Sequence, residues 1–404
     1  MRRLDVHLQG LLVAHLDDTR SGLRLSYTAE ALDQFGGWPL ISVSMPVNRS
    51  SYRGSAVNAF FEGLLPEGEI RQMIAYDFSV PVDDTVGILE VLGADCAGAL
   101  IIVPGETAPP TVGIATPIDE AAIAERIRRL PQEPLGVDSQ VRLSLAGMHH
   151  KLLLTRAATG WALPTYGVPS THIIKPAIPF MGNSIQNEAL SMRIASHLGI
   201  DTATVEIARF EDIEVLIVTR YDRNQTSKGI DRIHQEDLCQ ALAIAPRKKY
   251  QSSGGPSLGA CASIIRRWVR EPEVLLDLLD RVLLNVVLGN ADAHGKNISL
   301  LHHRSGRLCM APAYDLMTTT FYPNTTRELA MTIGDVTLIN EVTLETLIHE
   351  AASWGLDENF AACRVSALLE KLASALDSAA SELDSPPALV DFLASRFATV
   401  RDRY

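Results

Sequence analysis

The sequence predicts an α+β fold in two lobes: a strand-rich N-terminal lobe carrying an extra small N-terminal α/β subdomain, and an all-helical C-terminal lobe. Three observations predict it. Short, alternating apolar runs separated by Gly and Pro fill most of the chain up to Arg220. Longer runs with apolar residues at helical spacing fill most of it after Ala260. Between two apolar segments of the second half stands a dense polar cluster: Asn290, Asp292, His294, Lys296 and Asn297. The predicted segments are an N-terminal subdomain over 1–105, a linker and helix over 106–139, a strand-rich lobe over 140–238 and a helical lobe over 239–404.

In chain order, Leu4 to Val13, Leu23 to Tyr27 and Leu40 to Pro46 read as strands. Asn58 to Gly63 reads as a helix, broken at Pro66 and Gly68 and followed by a second helix. Ala99 to Val103 closes the subdomain, Gly105 to Thr116 is a linker, and Ile118 to Leu130 is helical. Ser144 to Lys151 is a small-residue loop running into the strand Leu152 to Thr155, and such a loop can lay backbone N–H groups on phosphates. Trp161 to Leu163 and Thr171 to Pro176 read as strands, the second ending in Lys175. Asn187 and Glu188 open a helix that Gly199 closes. Val205 to Arg209 pairs with Val215 to Arg220, and Leu238 to Ala243 is helical. Pro246 to Gly259 is a Gly/Ser-rich loop made basic by Arg247, Lys248 and Lys249. Helices follow over Ala260 to Arg270, Glu273 to Leu288, Leu344 to Gly355, Ala361 to Leu383 and Pro387 to Arg403.

The 47% hydrophobic and 21% charged content describes a globular chain with a large core. A net charge of −12 argues against autonomous binding of DNA or RNA. No signal peptide is visible, because Met1-Arg2-Arg3 leads into Asp5, His7 and Gln9 and not into an apolar run. Five cysteines without a CxxC pair favour a reducing cytoplasm over a disulfide framework or a zinc knuckle. His149-His150 and His302-His303 lack the i, i+4 spacing of helical metal ligands and are read as non-ligands.

The polar cluster carries the chemistry. The helix before it stops at Gly289, and five polar residues then sit on a short loop with fixed ends, where scaffolds place reacting groups. The interval from Asp292 to Asn297 is that of a protein-kinase catalytic loop, in which the Asp accepts the hydroxyl proton and the Asn holds magnesium. Asp315, which follows Tyr314, could complete the metal site. Lys175, at the end of a strand, could grip the ATP phosphates, with Glu188 supporting it. The bland alternative is a glycine C-cap followed by a polar turn.

Ten motifs in one order carry a resemblance that runs nearly end to end. They include FFEGLLPEGEIR, GADCAGAL, SLAGMHHK, THIIKP, NEALSMRIASHLG, RYDR, HQEDLCQAL, GNADAHGKN, YDL and LAMTIG. The chain resembles the HipA-type serine/threonine kinases, the toxin half of a bacterial toxin–antitoxin pair. The resemblance implies a protein-kinase-like fold, ATP and Mg2+ as cofactors, and catalytic roles for Asp292 and Lys296. It implies magnesium ligands at Asn297 and Asp315. It implies ATP contacts from Ala146, Gly147, Met148, His149, His150, Lys151, Lys175, Glu188, His294 and Asn297, and an adenine hinge at Glu236, Asp237 and Leu238. Ser144 matches a loop serine that such kinases autophosphorylate. The implied partners are a HipB-like helix-turn-helix antitoxin, operator DNA reached indirectly through it, and a protein substrate such as an aminoacyl-tRNA synthetase, in the cytoplasm without a membrane. Where the family loop reads Ala-Gln, this chain has Met148-His149. The competing reading is a nucleotide-binding scaffold or co-repressor that acts by docking an antitoxin. A lipid kinase is the third, and no basic amphipathic helix supports it.

Overall fold

The computed structural model describes residues 2–110, 115–136, 144–147, 149–164, 167–227 and 229–403. The chain forms two compact units. One comprises Met1–Pro176, Ala208–Arg247 and Leu300–Arg307, and the other Ala177–Ile207, Lys248–Ser299 and Leu308–Tyr404. These units do not follow the segment bounds expected from the sequence.

The first unit contains an antiparallel five-stranded sheet, in spatial order Ser51–Arg53, Gly22–Tyr27, Leu11–Thr19, Arg3–Leu8 and Leu100–Pro104. The run expected as one strand over Leu4 to Val13 is a hairpin. Gln9 and Gly10 both take positive φ, as a two-residue hairpin turn requires, and Leu8 pairs with Leu11. Leu40 to Pro46, expected as a strand, is an irregular segment. Its apolar residues Ile41 and Met45 are fully buried, and so is Ser42 between them, so the apolar content reports burial and not strand pairing. Side chains take the segment's backbone instead: Val43 N–H donates to the Glu236 carboxylate (2.8 Å) and Tyr27 Oη donates to the Met45 carbonyl (2.6 Å).

Helices Ser55–Gly63 and Gly68–Asp77 fall where expected, and Thr85–Leu92 is an additional one, capped by Asp84, which accepts from Gly87 N–H. Strands Ile213–Thr219, His172–Pro176, Leu152–Ala157, Gly160–Leu163 and Thr116–Ile118 lie side by side, each pair antiparallel. Their buried residues Leu152, Ile174 and Ile217 join Leu4, Phe60 and Leu89 in one hydrophobic core. This common core is why the subdomain and these strands form one unit.

Behind that core sits a buried ionic cluster. Arg220 and Arg223 both donate to Asp222 Oδ2 (2.7 and 2.9 Å), Arg223 also donates to Asp95 Oδ1 (2.9 Å), and Arg232 lies 3.3 Å from Asp95. The RYDR and GADCAGAL motifs are thus two halves of one clamp. The neighbouring arginines hold the Asp95 and Asp222 carboxyls below their usual range against the opposing effect of burial.

His234 is fully buried, and burial pushes its pKa down to about 3, with His302 adding to the effect. Its pKa is thus lowered by folding, so the unfolded chain takes up the proton first. Stability should therefore fall as pH drops below about 6.5 toward 3, a loss that begins well above the carboxylate range. Urea midpoints at pH 7 and pH 5 check this, and the difference should shrink in His234→Gln.

The second unit is predominantly helical: Ser184–His197, Leu258–Trp268, Val274–Leu288, Leu344–Ser353, Glu358–Leu369, Leu372–Leu383 and Pro387–Arg403. It is not wholly helical, since Glu328–Ile333 and Val336–Leu338 form an antiparallel hairpin. The helix expected over Ala361 to Leu383 is two helices separated at Glu370 and Lys371. The helix expected from Asn187 begins at Ser184. Among the described residues no helix is long and apolar enough to cross a membrane.

Candidate active site

In the second unit, helix Val274–Leu288 ends at Gly289, whose φ of 74° is left-handed. A Cβ there would lie 2.1 Å from Thr320 Oγ1 and 2.7 Å from Arg396 Nε, so both conformation and space demand glycine. The loop Asn290–Asn297 is then fixed by its backbone. Asn290 N–H donates to the Asn285 carbonyl (2.8 Å), Ala291 N–H to Thr319 Oγ1 (2.9 Å), and Ala330 N–H to the Ala291 carbonyl (2.9 Å). His294 N–H donates to the Asp292 carbonyl (2.8 Å), and Asn297 Nδ2 donates to the same carbonyl (3.3 Å). The Asp292 carboxylate is half-buried and accepts from Tyr250 Oη at 2.7 Å. His294 and Lys296 are buried at 6% and 8% exposure, so neither belongs to a solvated turn.

Asp315 is exposed and sits at φ 58°, a left-handed conformation that Asp tolerates better than most residues. Tyr314 Oη donates to the Lys296 carbonyl (2.6 Å) and pairs with Ser299 Oγ (2.6 Å). The residue before Asp315 is thus tied to the residue before Asn297. An exposed carboxylate and an amide on segments tied in this way suit a hard cation that keeps most of its other ligands as water and phosphate. Asn187 braces the far side: its Oδ1 accepts from Thr318 N–H (2.8 Å) and its Nδ2 donates to the Thr318 carbonyl (3.1 Å). Glu188 beside it is buried at 6% exposure; because the helix Ser184–His197 starts three residues before Asn187, Glu188 lies past the first turn and not in it.

In the first unit, the loop after Ser144 is held from within. Ser144 is fully buried; its Oγ donates to the Leu64 carbonyl (2.6 Å) and its N–H to the Asp95 carbonyl (2.9 Å). Lys151 Nζ donates to the Ala146 carbonyl (2.7 Å) and closes the loop over Gly147, whose φ is 122°. A Cβ on Gly147 would lie 2.6 Å from that Nζ. Glu67 N–H reaches the Gly147 carbonyl at 3.3 Å. His149 is exposed and His150 half-buried, its pKa lowered by burial; Met148 lies outside the described residues. Lys175 stands half-buried on its strand, paired with Leu216.

The side chains of the expected adenine hinge are held within the fold. Glu236 is fully buried and accepts from Ser42 Oγ, Val43 N–H and His302 Nε2. Asp237 and Gln240 form a capping box for Leu238–Ala241, and Leu238 is in the core. Lys249 departs from expectation. It is 8% exposed with Nζ 5.6 Å from the centre of the Tyr250 ring, so only Arg247 and Lys248 give that loop its solvated charge. Sequence reasoning gave no role to Tyr250, Tyr314 or Thr319, whose contacts with the loop leave no local signal; Asn290 stood in the polar cluster already.

The class is that of a serine/threonine kinase, as the relatives show, and the candidate loop lies between a helix and a strand. Residues 143–379 match the family model described as the HipA-like C-terminal domain, and residues 4–103 match that of the HipA N-terminal domain. The chain belongs to the HipA family. It is 37% identical over 385 residues to Y4mE of Sinorhizobium fredii, a kinase by its name only, covering 93% of this chain and 91% of that one. It is 28% identical over 389 residues to the serine/threonine-protein kinase toxin HipA of Shewanella oneidensis, covering 92% and 88%. Among solved structures, HipA of Shewanella oneidensis in complex with HipB and its operator DNA superposes with a TM-score of 0.85 at 27% identity, covering 99% of this chain and 96% of that one.

Proposed function

We propose that the chain is a toxin kinase that transfers the γ-phosphate of Mg·ATP to a serine or threonine of a host protein. The observation that carries this reading is the shared frame of the second unit, where Tyr314 links the Asp315 turn to the loop bearing Asp292 and Asn297. Asp292 takes the proton of the attacking hydroxyl as the hydroxyl oxygen bonds to the γ-phosphorus and ADP leaves. Asn297 and Asp315 would hold magnesium, which supplies charge stabilisation to the phosphates. Lys296 and His294 serve the phosphates from the same loop. Lys175 offsets phosphate charge, and Glu188 is a buried acid of the same family pattern. Ala146, Gly147, His149, His150 and Lys151 belong to the phosphate loop, and the backbone of 236–238 serves the adenine. Met148 keeps only its family expectation.

The relatives support a HipB-like helix-turn-helix antitoxin as partner, with operator DNA reached through it. An aminoacyl-tRNA synthetase is the substrate class the family suggests, and its phosphorylation in the cytoplasm would stall translation. Ser144 is the proposed autophosphorylation site. With its hydroxyl donating to the Leu64 carbonyl in a buried position, the loop must leave this arrangement before the hydroxyl can react. A phosphate of roughly −1.5 to −2 charge would then prevent its return.

One experiment tests both levels. The protein is incubated with Mg·ATP and a host lysate, and phosphosites are mapped on all proteins. The expected result is phosphate on Ser144 and on a synthetase, with Ser144→Asp inactive. An unmodified Ser144 in active enzyme, or a fully active Ser144→Asp, would remove the self-inactivation step, and a labelled set without a synthetase would remove that substrate class.

A further inference from the structure

We infer that Tyr250 is a positioning residue for the Asp292 carboxylate. The inference rests on the reading of Asp292 as the base. Tyr250 Oη donates to Asp292 Oδ1 at 2.7 Å. A carboxylate accepts on both oxygens, so a donor held on Oδ1 fixes the rotamer in which the group meets the incoming hydroxyl. The Tyr250 ring also stands edge-on to His294, with centroids 5.3 Å apart at 82°. One side chain therefore touches two members of the catalytic loop.

The turn that presents Tyr250 is built for the purpose. Ser253 N–H and Gly255 N–H both donate to the Tyr250 carbonyl (3.0 and 2.9 Å). Gly254 takes φ 84°, and a Cβ on Gly255 would lie 2.2 Å from the Lys248 carbonyl oxygen, so both glycines are required. Gln251 Oε1 accepts from Thr332 N–H (2.9 Å), which ties the turn to strand Glu328–Ile333. Ala330 of the same strand donates to the Ala291 carbonyl beside Asp292. Tyr250 and Asp292 are thus referenced to one strand, and their hydrogen bond is set by a rigid base.

Tyr250→Phe removes the hydroxyl and keeps the ring. It should lower turnover in transfer of label from γ-labelled ATP to lysate protein by roughly tenfold, the worth of one charge-assisted hydrogen bond. Mg·ATP affinity and the thermal midpoint should stay at wild-type values. Gln251→Ala, which frees the turn without touching Asp292, should lower turnover in the same direction. In an Asp292→Asn background, Tyr250→Phe should cost nothing further. Wild-type turnover in Tyr250→Phe beside an inactive Asp292→Asn overturns this inference alone. An active Asp292→Asn overturns the reading of the base. A rise in turnover would place Tyr250 in the acceptor's position, and a parallel loss of Mg·ATP affinity would make it a general brace; either result overturns the positioning role.

Discussion

Asp292→Asn should fold, bind Mg·ATP and lose phosphoryl transfer by a factor on the order of a hundred or more. The amide has the shape of the carboxylate but neither its charge nor its capacity to take a proton. The fold should survive because the loop is held through Gly289, Ala291 and the Asp292 backbone, none of which needs the carboxylate. Tyr250 Oη can still donate to the amide oxygen, so the rotamer should also survive. Steady-state transfer and calorimetric Mg·ATP binding, measured on the same preparation, separate the two effects. Transfer at near the wild-type rate would contradict the assignment of Asp292.

Asp315→Ala should abolish the magnesium dependence of ATP binding, with affinity for Mg·ATP falling by roughly tenfold or more. The only full negative charge proposed for the metal is this carboxylate, since Asn297 is neutral. Two effects are mixed in that variant, because Ala is less at ease than Asp at φ 58°. Asp315→Asn separates them: it keeps the left-handed preference and removes the charge, and it should lose nearly as much affinity. Titration of each variant with ATP, with and without magnesium, gives the answer. Unchanged affinity in both would move the metal elsewhere.

The loop proposed as catalytic stands out in the sequence because its signals are local. A glycine that ends a helix, an acid and an amide five residues apart and an apolar strand all lie within Arg281 to Leu301. What supports the loop was not legible. Asn187 meets Thr318 across 131 positions, Tyr250 meets Asp292 across 42, and such hydrogen bonds leave no period in the chain. The break at Glu370 was hidden because Ala361, Val365, Leu368, Leu372, Ala375 and Ala379 are all buried and keep helical spacing across it. Leu40 to Pro46 misled for the opposite reason, since its apolar residues belong to a buried loop whose backbone is satisfied by Glu236 and Tyr27. The resemblance implied a place for Glu236 at the hinge, but no local signal showed that its carboxylate accepts from Ser42, Val43 and His302. Motif order carried the family, but the role of RYDR came only from seeing Arg220, Asp222 and Arg223 buried with Asp95.

The central claim is transfer of a phosphoryl group from ATP to a protein hydroxyl by this chain. The most direct measurement is incubation of purified protein with γ-labelled ATP, magnesium and a host lysate, followed by acid hydrolysis and separation of phosphoamino acids. The account predicts label in phosphoserine or phosphothreonine that disappears when magnesium is chelated. Label found only in lipid or small molecules, or protein label indifferent to magnesium, would contradict it.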